Sequence, residues 1–506
     1  MLFASVGPDF GNPGRPGVVY VPLLVPPLEN PLPIRGSPWV TSLIACAWLG
    51  LGCEKTTAAV DHGFGRSVLI EGVPHVLQKP DFCGEADVEM YLRFLGKSIT
   101  QDQVFAASGM DPARGKGATT TELATALERL GFKPGDVWYQ VMPSAAERDL
   151  MVIWRGLLRD LEARIPSIVC MNTSAGPSSS EHFRLVLGYD ADRDEVIYNE
   201  PAEEHGSYRR MARSQLFKLW PLKYAQSQWT VVRLRLEVGK IADPPPARGF
   251  SPSEFVQHVM VLRRDLPREF TVVIEPPFVV LGNGPAVEVH RLAKETVGWA
   301  VRRLRLDFFS RDPTRILDVW LLGDDKSYRD TTIDLTGEEP DTPFGFYSPE
   351  QSALIMNIST GSGTLVHEIV HPFMEANCPG CPAWFNEGLG SLYEQCSERR
   401  GHIVGLRNWR LAELQYTIRK HALPSFRELT RLTGRAFYQG HHSLNYAQAR
   451  YLLYALQEGG LLVRYYRTMS ASLQRDPTGY AALVQVLGDK DMAQFQHQWE
   501  EEMMKL

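Results

Sequence analysis

The sequence contains no uninterrupted apolar run of about 18 residues, which excludes a polytopic membrane protein. It also lacks a surplus of positive charge. Its 53 Lys and Arg stand against 59 Asp and Glu, a formal net charge of −6 with a pI of about 6.1. That balance removes the electrostatic footprint nucleic acid requires, so no nucleic-acid partner is expected. No internal repeat is present. The bias of a disordered, collagenous or coiled-coil chain is missing as well: 44% of residues are apolar, 22% charged and 10% aromatic. What is present is a chain of 506 residues with enough apolar matter for real cores. At roughly 100–200 residues per domain it has room for two to four.

The 35 prolines are unevenly spread, nine of them falling within the first 38 residues, where no helical or strand period is sustained. Trp39 to Gly52 then runs for fourteen residues without a charge and ends at Cys53-Glu54-Lys55. This run is too short to span a bilayer but fits the apolar region of an export signal. A cysteine behind small residues at its end resembles the lipobox of bacterial lipoproteins, which implies a lipidated cysteine at the mature N-terminus. Leu43-Ile44-Ala45-Cys46 carries the closer lipobox pattern, whereas Gly50-Leu51-Gly52-Cys53 stands at the end of the apolar run. The reading favours Cys53, with residues 1–53 as a Pro-rich leader and signal. Only Arg15 and Arg35 precede the run as positive charges, and its late start fits a start codon downstream of Met1. The expected location is the bacterial cell envelope, lipid-anchored or secreted, with membrane contact only through the anchor at Cys53.

Two folded regions are expected, 65–238 and 251–506, joined by a Pro-rich linker over 239–250 that contains Asp243-Pro-Pro-Pro-Ala-Arg-Gly249. In the first, Cys83–Leu95 and Thr119–Leu130 read as helices closed by Gly96 and Gly131, and His182–Tyr189, Glu195–Asn199 and Trp229–Leu236 as strands. In the second, Ser251, Pro252 and Glu254 mark a capped helix start. Phe270–Leu281 and Ile316–Leu322 read as strands around a helix at Val287–Leu304, and the chain beyond 363 reads as largely helical. The fold class is α+β.

The segment Val73-Pro-His-Val-Leu-Gln78-Lys-Pro-Asp-Phe-Cys83-Gly-Glu-Ala86 places a cysteine at a helix start, where the helix dipole favours thiolate. Gln78 can offer its side-chain amide to an oxyanion together with the Cys83 N–H. His182 opens a strand as a candidate base, and Asn199 and Glu200 compete to orient it. If Tyr189 pairs with Glu195, Glu200 shares the face of His182, whereas a one-residue slip would favour Asn199. The pattern Gln…Cys-Gly, then His before an apolar strand ending Gly-Tyr-Asp, resembles the C39-like papain-fold cysteine peptidases. That resemblance implies catalytic roles for Cys83, His182 and Gln78. Glu200-Pro201 stands where that family carries Asp-Pro.

His367-Glu-Ile-Val-His371 puts two imidazoles on one helix face, with Glu368 beside them as a base for water. Downstream, Ala383-Trp-Phe-Asn-Glu387-Gly-Leu-Gly-Ser-Leu-Tyr-Glu394 offers a carboxylate. This pair resembles the gluzincin metallopeptidases with their HExxH and NEG-type helices, and implies a C-terminal zincin-like domain. It further implies Zn2+ held by His367, His371 and Glu387, Glu368 as general base, and Ser391 as a partner of the ligands. Ala353–Ile358 would be the strand along which a peptide lies. Fifteen residues separate His371 from Glu387, fewer than M1 enzymes use. Tyr446, chosen by spacing, is the candidate oxyanion stabiliser. Cys378-Pro-Gly-Cys381 lies in the tight connection, with Cys396 beyond it; the alternatives are a disulfide and a structural zinc site completed by Cys396 and His402.

The leading expectation is an exported peptidase acting on peptide or protein substrates with a zinc-activated water and carrying a second, papain-like site. The alternatives are a thiol peptidase on an inactive zincin-like scaffold and a non-catalytic peptide-binding envelope lipoprotein.

Overall fold

The computed structural model describes residues 66–506 apart from 177–178, 245–248, 440–441 and 489–490. The leader, with Cys46 and Cys53, lies outside the described residues. Asp61–Leu506 falls in one unit that holds two large hydrophobic cores.

The first core is built on a seven-stranded sheet. Its strands are β1 (Val68–Leu69), β3 (Trp138–Val141), β4 (Ser167–Asn172), β5 (Glu181–Asp190), β6 (Glu195–Asn199), β7 (Arg209–Ala212) and β8 (Trp229–Arg235). They run in the order β3-β8-β4-β5-β6-β7, with β1 also on β5. A short ribbon pairs β2 (Phe132–Lys133) with β9 (Glu237–Val238). Helices α1 (Cys83–Phe94), α2 (Gln101–Ser108), α3 (Thr120–Leu130), α4 (Ala146–Glu162) and α5 (Arg213–Leu219) complete the region. The expected glycine stops hold: Gly96 and Gly131 take φ of +73° and +96° just past their helices, where a Cβ would be strained. At Gly131 a Cβ would also sit 1.9 Å from the Lys240 carbonyl, so the helix end and the chain leaving the region touch.

The second region opens with α6 (Pro252–Leu262), whose start is the expected capping box: Ser251 Oγ accepts the Glu254 N–H, and Glu254 accepts the Ser251 N–H at 2.7 Å. The strand expected over Phe270–Leu281 is instead a hairpin of β10 (Thr271–Glu275) and β11 (Phe278–Gly282), because Pro276-Pro277 interrupts the run and cannot donate to a ladder. Helices α7 (Ala286–Leu292) and α8 (Trp299–Asp307) are continuous through a wider turn at Ala293–Gly298. The sheet is completed by β12 (Leu317–Leu322), β13 (Gly345–Ser348) and β14 (Ala353–Asn357), in the order β10-β11-β12-β14-β13, with α9 (Asp325–Thr336) before β13. Two helices follow, α10 (Gly363–Asn377) and α11 (Ala383–Tyr393), then a ribbon of β15 (Cys396–Arg399) and β16 (His402–Gly405). Beyond these the chain is helical: α12 (Leu411–Arg419), α13 (Phe426–Arg431), α14 (Gly434–Tyr438), α15 (His442–Glu458), α16 (Leu462–Ser472), α17 (Tyr480–Val486) and α18 (Met492–Lys505). Among the described residues no helix is long and apolar enough to cross a membrane.

Helix α6 is shared between the two regions. Phe255 and Val259 pack with Val272, Val279 and Leu281 of the second sheet and with Ala113 of the first region. Val256 joins Phe82, Phe105 and Met110 in a separate cluster, and Gln257 Nε2 donates to the Pro80 carbonyl at 3.0 Å.

Candidate active sites

Cys83 is delivered by a tight turn. In Lys79-Pro80-Asp81-Phe82 the Phe82 N–H donates to Lys79 O at 3.0 Å. Pro80 presets the second position, and Asp81 takes φ +62° at the third, a left-handed conformation that aspartate tolerates better than most residues. The turn is held from outside: Asp81 Oδ2 accepts the Gly117 N–H at 2.8 Å, and a Cβ on Gly117 would sit 1.9 Å from the Asp81 carbonyl. Phe82 is fully buried, stacks on Phe105 at 5.0 Å and precedes Cys83, the first residue of α1.

The thiol does not show the lowered pKa expected of a helix start. Burial pushes it up to about 12; the Phe183 N–H pulls the other way, while the charges of Asp87, Glu85 and Asp81 add to the rise. Desolvation outweighs the dipole here because the thiolate would also face three carboxyl groups. Two of those carboxyls are themselves buried. Glu85 is pushed up to about 8 by burial although its Oε1 accepts the Ala118 N–H at 2.8 Å. Asp87 is raised well above the carboxylate range, first by burial and then by the nearby Glu200, and neither of its oxygens has a hydrogen-bond partner among the described residues.

The choice between Asn199 and Glu200 falls to Glu200. His182 Nε2 is hydrogen-bonded to Glu200 Oε1, and Arg184 Nε donates to Glu200 Oε2 at 2.6 Å. Burial would raise the Glu200 carboxyl, but His182 and then Arg184 hold it below its usual range. Asn199 points away into the core, its Nδ2 at 3.4 Å from the Met90 sulfur and its Oδ1 accepting the Tyr208 N–H at 2.8 Å. The register that produces this is not the simple one. Tyr189 pairs with Val196, one residue off the assumed pairing, and a bulge between Val186 and Gly188 then shifts the ladder so that Leu185 faces Asn199. The bulge returns Arg184 and His182 to the face of Glu200. Gln78 is tied to the same corner through its N–H, which donates to Pro201 O at 2.9 Å, and its side-chain Oε1 is buried without a partner among the described residues.

Over this stretch the chain matches a family model described as the Peptidase_C39 like family, residues 70–228. Residues 70–228 form a C39-like peptidase domain. Among solved structures the chain is similar to the peptidase domain of Streptococcus ComA, a bi-functional ABC transporter involved in a quorum sensing pathway. The identity is 14%, covering 33% of this chain and 99% of that one, with a TM-score of 0.22. No curated protein matches the chain. The match is to a domain of the hydrolase, thiol-protease class; within it His182 and Glu200 are hydrogen-bonded to each other, and Cys83 opens α1.

A second constellation lies beyond the C39-like domain. Helix α10 carries His367, Glu368 and His371, which present ligand-type atoms all within 4.8 Å of one another. Helix α11 adds Glu387, whose Oε2 lies 3.2 Å from His367 Nε2 and 3.9 Å from His371 Nε2. The second nitrogens are also engaged: His371 Nδ1 donates to Asn386 Oδ1 at 3.1 Å, and His367 Nδ1 lies 3.3 Å from Glu394 Oε1 as an ion pair, off hydrogen-bond geometry. Glu394 is held in turn by Arg410 through two bonds of 2.9 and 2.7 Å. Burial works against His367 charging, but Glu387 and Glu394 raise it to about 10. Burial likewise opposes ionisation of Glu387, yet the His367 bond and the His371 and His367 charges take it down to about 2. Two imidazoles ringed by buried carboxylates are a donor set for a cation. They lie on a cavity of about 670 Å³ that also includes Tyr347, Arg410, Tyr438 and Tyr446.

Several expectations are corrected here. Ala353–Ile358 is not an accessible strand: β14 is paired on both sides, parallel to β12 and antiparallel to β13. The edge next to α10 is β13, and its Tyr347 N–H donates to Glu368 Oε2 at 3.0 Å. Ser391 is fully buried with an unpartnered Oγ among the described residues, so Asn386 and Glu394 take the supporting role expected of it. Tyr446 does line the cavity, its ring stacked at 6.4 Å from the His367 ring, but Tyr438 makes the shorter claim on the site by donating to Glu387 Oε1 at 2.6 Å. His402 is spent on Asp307 at 2.5 Å, so no four-ligand site forms with Cys378, Cys381 and Cys396 among the described residues. Glu394 was legible as the residue seven after Glu387 on one helix face; Arg410 and Tyr438 carry no spacing signal.

Proposed function

We propose that the chain is an exported, lipid-anchored peptidase that hydrolyses peptide bonds with a zinc-activated water and carries a second thiol site in its C39-like domain. The observation that carries the zinc half is the convergence of His367 Nε2, His371 Nε2 and Glu387 Oε2 beside Glu368 on one wall of the cavity. The donor set fits zinc: two imidazoles and one carboxylate, with second nitrogens placed beside Asn386 and Glu394. When bound, zinc supplies Lewis acidity toward a carbonyl and acidifies a water. Glu368 takes the proton of the attacking water at its carboxylate and returns it to the leaving amine. Tyr446 lines the same cavity and is the candidate donor to the developing oxyanion, whereas the Tyr438 hydroxyl is spent on Glu387. A peptide extends along β13, adding to the sheet edge. Export and anchoring rest on the uncharged Trp39–Gly52 run before Cys53.

A second reading is favoured by the family match: the C39-like domain alone does the cleavage. In it Cys83 enters as a thiol, not a thiolate, and gives its proton to His182 during attack, while Glu200 steadies the imidazolium. Gln78 and the Cys83 N–H, which has no acceptor within its own helix, hold the oxyanion.

Zinc analysis of the purified chain, with peptide cleavage by Glu368→Gln and Cys83→Ala, tests both. The first reading expects about one zinc per chain, cleavage reduced at least about 10³-fold in Glu368→Gln, and substantial cleavage left in Cys83→Ala. Absence of zinc, or loss of all cleavage in Cys83→Ala alone, sinks it.

A further inference from the structure

The connection between α10 and α11 carries a pair of thiols that neither site uses. Cys378 follows the last residue of α10, and Cys381 precedes Pro382, the N-cap of α11. Between them Cys378-Pro379-Gly380-Cys381 closes as a tight turn. The Cys381 N–H donates to Cys378 O at 3.0 Å, and Gly380 takes φ +81° at the third position behind a proline at the second. Such a turn holds the first and last Cα atoms within about 7 Å, against the roughly 4.4–6.8 Å a disulfide spans. The two thiols are near enough to shift each other's ionisation.

Both ends of this loop are fixed before any bond forms. Asn377 Oδ1 accepts the Ser310 and Arg311 N–H groups at 3.1 and 3.0 Å, which holds the end of α10. Trp384 Nε1 donates to Thr478 O at 2.9 Å, which holds the start of α11. Cys396 sits on the β15–β16 ribbon opposite Gly405 and is not part of the turn.

We infer that Cys378 and Cys381 form a reversible disulfide, a clamp across the turn that joins the helix of His367 and His371 to the helix of Glu387. The bond forms by thiol–disulfide exchange with an external disulfide. One of the two thiols loses its proton and displaces one sulfur of that disulfide, giving a mixed disulfide and one free external thiol. The other then loses its proton and attacks the first, expelling the second external thiol. The chain gives up two protons and two electrons, and the external disulfide is reduced to two thiols. Closure fixes the spacing of the two helices whether or not a metal sits between them.

The experiment uses the full chain, reduced, freed of reductant and incubated with oxidised glutathione, then unfolded, alkylated with iodoacetamide and mapped by mass. The expected result is one peptide carrying Cys378 and Cys381, unlabelled and lighter by two hydrogens, while Cys83, Cys170 and Cys396 take up label. The unfolding midpoint of the oxidised chain rises by only about 2–4 °C, since the closed loop is short. Gly380→Val, which strains the turn without touching either sulfur, slows closure several-fold. The inference is overturned if both cysteines are labelled after oxidation, if either is linked elsewhere, or if a glutathione adduct persists unresolved. Protection of both thiols by added zinc under the same conditions also overturns it in favour of a metal site.

Discussion

The two constellations treat most of their buried carboxyl groups in opposite ways. Around Cys83, burial leaves Glu85 and Asp87 short of partners and drives them toward the neutral acid. Around His367, Glu387 and Glu394, somewhat less enclosed, are driven the other way and fall to about 2 because imidazole or guanidinium groups stand beside them, while the fully buried Glu368 is raised as Glu85 and Asp87 are. Neighbours and depth together set the difference: a directly bonded cationic partner lowers Glu387 and Glu394, and complete burial still raises Glu368. One site concentrates its fixed charge on a single buried group, Glu200 between His182 and Arg184, and keeps its nucleophile protonated. The other gathers anionic and imidazole donors at one point, an arrangement that a divalent cation completes.

The sharpest way to break this contrast is Glu200→Gln. It removes the charged partner of His182 and is expected to lower thiol-reagent-sensitive cleavage by about 10²–10⁴-fold while leaving chelator-sensitive cleavage intact. Equal loss of both activities would mean that the sites are not separate. Gly390→Ala addresses the other side: a Cβ there would stand 2.9 Å from the His367 ring, and the ring must move. Zinc affinity should fall about 10–100-fold with circular dichroism unchanged, as for other changes that misorient a ligand. Undiminished affinity would show that His367 is not a ligand.

Glu85→Gln sharpens the account of neutral buried acids. The folded pKa of about 8 lies above the usual carboxylate value, so the folded state holds a proton that the unfolded chain releases. Stability should therefore be fully present below about pH 4.5 and fall as pH rises toward 8, where Glu85 must ionise inside the protein. The glutamine variant keeps an acceptor for the Ala118 N–H and should be more stable than the parent at pH 8–9 but not at pH 4, measured by urea unfolding. The smallest effect is expected for Ser391→Ala, within about 1 kcal/mol of the parent or slightly stabilising, because its buried hydroxyl has no partner to lose.

Local signals carried much of the fold. Caps, glycine stops and strand periods placed α1, α3, β5, β6, β8 and α6 within a residue or two, because each is decided by neighbours in sequence. The failures came where distant packing decides. Ala353–Ile358 reads as the accessible edge, although strand order is a property of the whole sheet; the hairpin at Pro276-Pro277 is the exception, a local signal masked by the apolar run around it. In the sites, His182 with Glu200 and the cluster of His367, His371 and Glu387 were legible from spacing. The raised Cys83 pKa was not, since the helix dipole is visible in sequence and desolvation is not. Arg410, Tyr438 and Tyr347 arrive from separate elements whose meeting no local pattern announces.

Helix α6 begins after the proline linker, so by chain order it belongs with the second half of the molecule. By contact it also supports the turn that presents the nucleophile, through Val256 against Phe82 and Gln257 on the Pro80 carbonyl. A cut at the linker would thus leave the first fragment with Phe82, Phe105 and Met110 bare, while a cut after Leu262 would carry their cover along. The unit that can be moved, swapped or inherited intact is therefore longer than the stretch that the family model matches.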